Sequence, residues 1–209
     1  MLDSISSYLM NMGMLEFVSF VFGLLCVYFL IRENILTWIC GIIYVLISFY
    51  VFWQARLYGD FILHIVYLVL NIYGWYNWSN GRKATESDKM PITISSVRSS
   101  VILLLASIVG IFVFAQLLIG MSDVFSVSEA ALPYWDSTTT ILSLTGMWLT
   151  TQKKLDNWIY WLVVDILATG IYFYKGIYFY SLLYFIYIGM AVAGFIAWKK
   201  SMQEDHGSL

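Results

Sequence analysis

The chain has 209 residues, of which 61% are hydrophobic, 19% aromatic and only 11% charged, with a formal net charge of −2. Soluble domains carry about 25% charged residues, and an apolar excess of this size would cover a soluble protein with greasy surface. Composition therefore excludes a soluble domain, gives no footing for nucleic acid, and leaves an all-α integral membrane protein, with room for six to eight spans of about 20 residues each.

Residues 1–16 read as an N-terminal interfacial segment. Leu2, Ile5, Leu9 and Met12 recur at roughly helical spacing, which predicts a short helix on the membrane surface. No basic run precedes an apolar core here, so the segment is not read as a secretory signal peptide. Spans at 17–31, 35–54 and 58–78 make a first three-helix bundle, 17–78, interrupted by Arg32-Glu33-Asn34 and by Gln54-Ala55-Arg56. Residues 79–97 are polar and read as an aqueous, cytoplasmic loop. A span at 98–120 follows, then an external loop at 121–132. Pro133 opens the next helix, a position where proline is tolerated. Spans at 133–151, 156–174 and 178–198 make a second bundle, 133–198, and 199–209 form a cytoplasmic tail. Cys26 and Cys40 lie inside apolar runs, with no second Cys or His at metal-ligand spacing. They read as buried packing residues, and neither metal nor cofactor is expected.

Orientation follows from the cations. With the N-terminus outside, nine of the eleven Lys and Arg fall on the inner side: Arg32, Arg82, Lys83, Lys89, Arg98, Lys153, Lys154, Lys199 and Lys200. Arg56 and Lys175 remain outside. This asymmetry fits seven spans and a cytoplasmic C-terminus.

The last three spans repeat the first three. Gly23, Asn34 and Trp38 match Gly146, Asn157 and Trp161 at an offset of 123. Tyr58, Tyr67, Gly74 and Trp78 match Tyr178, Tyr187, Gly194 and Trp198 at an offset of 120, as if three residues were deleted near residue 175. Span four has no counterpart and is a linker helix. Equivalent spans then point the same way through the membrane, a 3+1+3 parallel repeat like that of the SWEET carriers.

Polar side chains inside spans are costly, about 2.5–3.5 kcal/mol for a charge by insertion scales, and tend to face a pathway or a partner. His64, Tyr67, Asn71 and Trp75 form one stripe, and Asp136, Thr139, Thr140 and Ser143 another. Trp158, Trp161, Asp165 and Tyr172 share a face, as do Tyr180, Tyr184 and Tyr187. Helical spacing turns these groups toward the bundle interior. Each has a second, plain reading. Thr139, Thr140 and Ser143 can serve helix–helix hydrogen bonds, Asp136 can cap its helix or be solvated, and Asp165 can pair with His64 or a tyrosine. Trp78 and Trp198 fit an interfacial aromatic belt, and Gly74 and Gly194 fit close helix packing. With no Lys or Arg well inside a span, a phosphate or carboxylate finds no countercharge. Stacked rings with one or two carboxylates suit a small, flat, neutral or cationic solute.

Several segments resemble the Pnu vitamin transporters: NIYGWYNW (Asn71–Trp78), PYWDSTTT (Pro133–Thr140), KKLDNWIYWLVVD (Lys153–Asp165) and YFYKGIY (Tyr172–Tyr178). The resemblance runs from about Gly23 to Trp198, and is strongest to the members that carry nicotinamide riboside. It implies seven helices in a SWEET-like 3+1+3 layout, a homotrimer in the lipid of a bacterial inner membrane, and facilitated diffusion of the riboside, which a cytoplasmic kinase traps by phosphorylation. Relatives carry thiamine or riboflavin. The expected substrate-binding residues are Tyr67, Asn71, Trp75, Asp136, Thr139, Thr140, Trp161, Asp165, Tyr184 and Tyr187, in an alternating-access carrier rather than an enzyme. An ion-coupled carrier and a non-transporting scaffold are the competing readings.

Overall fold

In a computed structural model the described residues are 2–11, 13–54, 58–84, 90–125 and 132–207. Met12, Arg56, Lys89 and residues 126–131 of the expected external loop lie outside them. Among the described residues the fold is all helical: α1 (Leu2–Asn11), α2 (Met14–Ile31), α3 (Leu36–Gln54), α4 (Tyr58–Ala84), α5 (Val97–Phe125), α6 (Pro133–Thr151), α7 (Asn157–Tyr174) and α8 (Tyr178–Gly207). Helix α4 continues past Trp78 into the stretch expected as loop, and α8 continues past Trp198 into the expected tail.

The distribution of side chains is the reverse of a soluble protein's. His64, Asn71, Ser137, Ser143, Asn157 and Asp165 are buried, while Ile102, Leu105, Val109, Phe112, Phe185 and Ile196 are exposed. Water would place the large apolar groups inside; hydrocarbon places them outside. The chain is a multi-pass membrane protein. By length and composition α2, α5 and α8 can cross a bilayer, and α3 holds a shorter apolar run, Leu36–Val51. Helices α4, α6 and α7 have 27, 19 and 18 residues, enough for a span of 17–25 residues. Their mean hydropathy is lowered by the polar groups they bury.

Helix α2 packs on α3 and α3 on α4; likewise α6 packs on α7 and α7 on α8. The two sets meet where α4 lies against α6 and α2 against α8. Helix α5 lies on α6, where Ser107 and Thr145 share a 3.0 Å hydrogen bond and the Gln116 amide donates to the Tyr134 hydroxyl at 2.9 Å.

One offset, 120 residues, relates the two sets throughout. Helix α2 ends in a Schellman turn, with Glu33 N–H donating to the Leu30 carbonyl and Asn34 N–H to that of Phe29. Helix α6 ends identically: Lys153 N–H donates to Thr150 and Lys154 N–H to Leu149. Glu33 and Lys153 both have positive φ, 54° and 51°. The expected pairing of Trp38 with Trp161 and Asn34 with Asn157 is therefore corrected, and no three-residue deletion is needed. Trp38 is equivalent to Trp158. Each ring lies where a Cβ on Gly74 or Gly194 would sit. Each also meets Trp78 or Trp198 edge-on, at 5.3 Å and 88° and at 5.5 Å and 86°.

These four tryptophans are buried in one layer with Leu30 and Leu155, so Trp78 and Trp198 do not form an interfacial belt. The Trp78 indole donates to the Thr150 carbonyl at 3.1 Å and the Trp198 indole to the Leu30 carbonyl at 2.9 Å. Each triplet thus caps the other at the same place. The layer holds the C-terminal ends of α2 and α6 and the N-terminal ends of α3 and α7.

Part of the expected aqueous loop is folded onto this layer. Ile92 is 2% exposed. Thr93 N–H donates to the Lys153 carbonyl at 3.2 Å, Leu155 N–H to the Thr93 carbonyl at 2.9 Å, and Ser95 N–H to the Asp156 carboxylate at 2.8 Å. Lys153, expected among solvated inner-loop cations, is 1% exposed and pairs with Glu33 at 2.8 Å.

Gly194→Ala forces a methyl into the Trp158 ring and should cost about 1–3 kcal/mol, as overpacked sites do. Gly170→Ala has nothing within 4 Å to meet and should be neutral or gain up to about 1 kcal/mol. Thermal melting of the two variants in detergent checks the contrast.

Candidate functional site

The polar residues converge on a zone between the triplets, further along the helices from the tryptophan layer. Asp165 lies in the middle of α7 and is 5% exposed. Thr169 donates its hydroxyl to the Asp165 backbone carbonyl at 2.7 Å, but among the described residues no side chain hydrogen-bonds the carboxylate. From α8, the Tyr184 and Tyr187 phenols lie within electrostatic reach of it. Tyr172 stacks on Tyr184 at 5.3 Å and 14°, and Tyr184 meets Tyr187 edge-on at 5.8 Å and 85°.

The first triplet supplies the facing wall. His64 packs between Tyr44 at 6.1 Å and Tyr67 at 5.5 Å. Tyr67 lies close to Ser143 of α6, and Ser143 donates to the Thr139 carbonyl at 2.6 Å. Two glycines make the wall possible. The Tyr187 hydroxyl lies 3.0 Å from where a Cβ on Gly23 would be, and the Asn71 carboxamide occupies the place of a Gly41 Cβ. The Asn71 amide is fixed by donating to the Tyr67 carbonyl at 2.8 Å. Any side chain at residue 41 would displace it.

Five expected site residues thus come together: Tyr67 with Asn71, and Asp165 with Tyr184 and Tyr187. The residue that joins the two groups is Tyr44 of α3, which lies within reach of Tyr67, Tyr184 and Tyr187 alike. The stripe analysis missed it. A lone tyrosine between Gly41 and Ser48 in an otherwise apolar run was the available signal.

The remaining expected residues lie elsewhere. Gly74 takes the inward position on α4, so Trp75, about 100° further round, faces outward and is 43% exposed. Asp136 sits in the first turn of α6 and pairs with Lys175 at 3.3 Å, both groups about one-third exposed. The Thr139 hydroxyl donates to carbonyls of its own helix, Trp135 at 3.2 Å and Asp136 at 3.0 Å. Thr140 is half-buried on α6. Trp161 packs near Gly146, beside the tryptophan layer, and its indole donates to the Thr150 hydroxyl at 3.1 Å. A separate groove between the other ends of α6 and α7, lined by Leu132, Trp135, Ile166, Gly170 and Tyr174, is apolar.

A buried carboxylate with two phenols within electrostatic reach and without a described Lys or Arg beside it favours a cation, and tyrosine faces add attraction of about 0.5–2 kcal/mol per good contact. An anion meets only repulsion there. Among the described residues no group of three or more His, Cys, Asp or Glu could hold a metal.

Residues 13–200 match the family model described as nicotinamide mononucleotide transporter. The chain is 28% identical to the nicotinamide riboside transporter PnuC of Escherichia coli (strain K12), over 93% of this chain and 88% of that protein. It is 28% identical to the protein of the same name from Neisseria mucosa, over 91% and 73%. It is 22% identical to the riboflavin/roseoflavin transporter RibM of Streptomyces davaonensis, over 91% and 86%. The crystal structure of the vitamin B3 transporter PnuC superposes with a TM-score of 0.71 at 26% identity, covering 95% of this chain and 86% of that one.

Burying a lone carboxylate is costly, so Asp165→Asn should melt above the parent. Lys175→Met opens a pair exposed enough that stability should change by no more than about 1 kcal/mol. Melting curves of the purified variants decide both.

Proposed function

The chain belongs to the nicotinamide mononucleotide transporter family, and we propose that it carries nicotinamide riboside, a vitamin B3 precursor, by facilitated diffusion. The observation that carries the choice of solute is Asp165: a buried carboxylate to which no side chain among the described residues donates, with the Tyr184 and Tyr187 phenols within electrostatic reach. Nicotinamide riboside is a flat pyridinium cation on an uncharged sugar. Its ring suits the aromatic wall, its charge suits Asp165, and Asn71 and the tyrosine hydroxyls suit its amide and ribose. The mononucleotide adds a phosphate. Buried Lys153 is committed to Glu33, and Lys175 pairs with Asp136.

The arrangement we propose is seven spans, α2–α4 and α6–α8 as parallel units with α5 as linker, while α1 lies on the outer surface. In support, Tyr8 of α1 stacks on Phe179 at the start of α8, ring centroids 4.6 Å apart. The N-terminus then faces outside, and the tryptophan layer and the C-terminus face the cytoplasm of a bacterial inner membrane. Solute reaches Asp165 from the Asp136 side, stacks against Tyr187 and Trp161, and leaves when the two units rock apart at the tryptophan layer. The working assembly is a homotrimer in lipid, and a cytoplasmic kinase traps the product by phosphorylation. The RibM likeness supports a second solute reading, a related vitamin such as riboflavin or thiamine.

Proteoliposomes holding the purified chain should accumulate labelled nicotinamide riboside to equilibrium without any ion gradient; uptake that vanishes when a gradient is collapsed would refute facilitated diffusion. Asp165→Asn and Trp161→Ala should lower uptake at least about tenfold, the effect of losing about 1.4 kcal/mol, while Trp75→Ala leaves it unchanged. Excess nicotinamide mononucleotide should not compete. Equal competition by thiamine or riboflavin would reassign the solute.

A further inference from the structure

We propose that the Glu33–Lys153 ion pair is the latch that closes the tryptophan-layer end of the solute path, opened and remade in each transport cycle, with Thr150 tying it to Trp161. This rests on the transport reading above and adds the device that gates it.

The pair joins equivalent positions of the two triplets, 33 and 153, so it crosses the interface that must part if the units rock. Both residues occupy the left-handed C′ position of a Schellman turn, at φ 54° and 51°. Glycine fits that position without strain. Backbone strain of this kind is informative where a side chain there has a job, and here each unit places an opposite charge on the same strained corner.

Chemistry suits the pair to a seam that opens. A buried ion pair is a poor source of static stability, because well-packed apolar groups often do as well. It differs from an apolar seal in the open state, where each separated charge regains its hydration. An apolar seal would expose greasy surface instead. The side chains are 1% and 8% exposed when joined. The same ammonium lies 5.1 Å from the Trp78 ring centroid and donates to the Met90 carbonyl of the segment folded over the layer. Opening the latch therefore frees that segment and one of the reciprocal tryptophans together.

Thr150 links this end to the ring site. Its hydroxyl accepts the Trp161 indole at 3.1 Å, and its carbonyl accepts the Trp78 indole at 3.1 Å. A solute ring displacing Trp161 acts directly on the residue that anchors Trp78.

The chain contains two cysteines, Cys26 and Cys40, and Cys26 lies within reach of the Tyr187 phenol on the solute side of the layer. In the full chain carrying Cys40→Ala, reconstituted in sealed liposomes, a membrane-impermeant maleimide is supplied from the tryptophan-layer side and modification of Cys26 is timed. Glu33→Gln and Lys153→Met should label about tenfold faster than the parent, equivalent to losing about 1.4 kcal/mol of closure. Lys153→Arg, which keeps the charge, should label at the parent's rate. Glu33→Gln preserves shape, so it decides the matter if Lys153→Met folds poorly. Parent-rate labelling of Glu33→Gln in liposomes that carry riboside overturns the latch. Faster labelling with no riboside uptake by the parent keeps the latch and refutes the solute.

Discussion

Two hydrogen bonds, Trp78 to the Thr150 carbonyl and Trp198 to the Leu30 carbonyl, hold the molecule together at one end. Each uses the indole of one triplet to add a second hydrogen bond to a carbonyl that the Schellman turn of the other already engages, Lys153 N–H at Thr150 and Glu33 N–H at Leu30, so both lone pairs of the two carbonyls are used. The rest of the layer follows. Trp38 and Trp158 wedge edge-on against the donors, which requires glycine at 74 and 194, and Glu33 and Lys153 close the corner. Among the described residues the Trp38 and Trp158 indole nitrogens have no acceptor, on both sides alike.

The layer also explains why the polar residues can lie where they do. Hydrocarbon outside supplies no force that sorts apolar from apolar, so the helices are held by close contact and by hydrogen bonds between them. With one end tied by tryptophans, the zone further along can carry Asp165, His64 and the tyrosines at the cost of stability that a carrier's binding site tolerates. The membership of a transporter family gives that cost a use.

Membrane class and the all-helical fold were legible because both rest on composition and spacing, which survive without knowledge of contacts. The register was only half legible. Offsets of 120 and 123 each find identical residues in a sequence rich in tryptophan and tyrosine. Trp38 has an identical partner at both, Trp158 and Trp161. Only contact with Gly74 and Gly194 separates them. Glu33 and Lys153 were invisible as a pair, since equivalent positions carrying opposite charges look like divergence and both sit beside loop residues. Trp75 failed for a geometric reason: a stripe drawn from His64 drifts, and Gly74 claims the inward side. Tyr44 needed the third dimension, because α4 and α8 both reach it.

What distinguishes the two triplets is as informative as what repeats. Across the offset, Gly41 and Asn71 of the first unit stand where Trp161 and Ala191 stand in the second, and Val45 stands where Asp165 stands. In the first unit a small helix-facing residue admits a carboxamide. In the second a large ring stands opposite a methyl, and a carboxylate replaces an isopropyl group. The scaffold keeps its symmetry where the units bond to each other, at Trp78 and Trp198. It abandons symmetry where a solute would lie. A symmetric site would offer both ends of a solute the same wall. An acidic, ring-lined wall from the second unit and an amide-bearing wall from the first give the two ends different partners, so one carboxylate suffices and a matching one in the first unit would only add an unpaired buried charge.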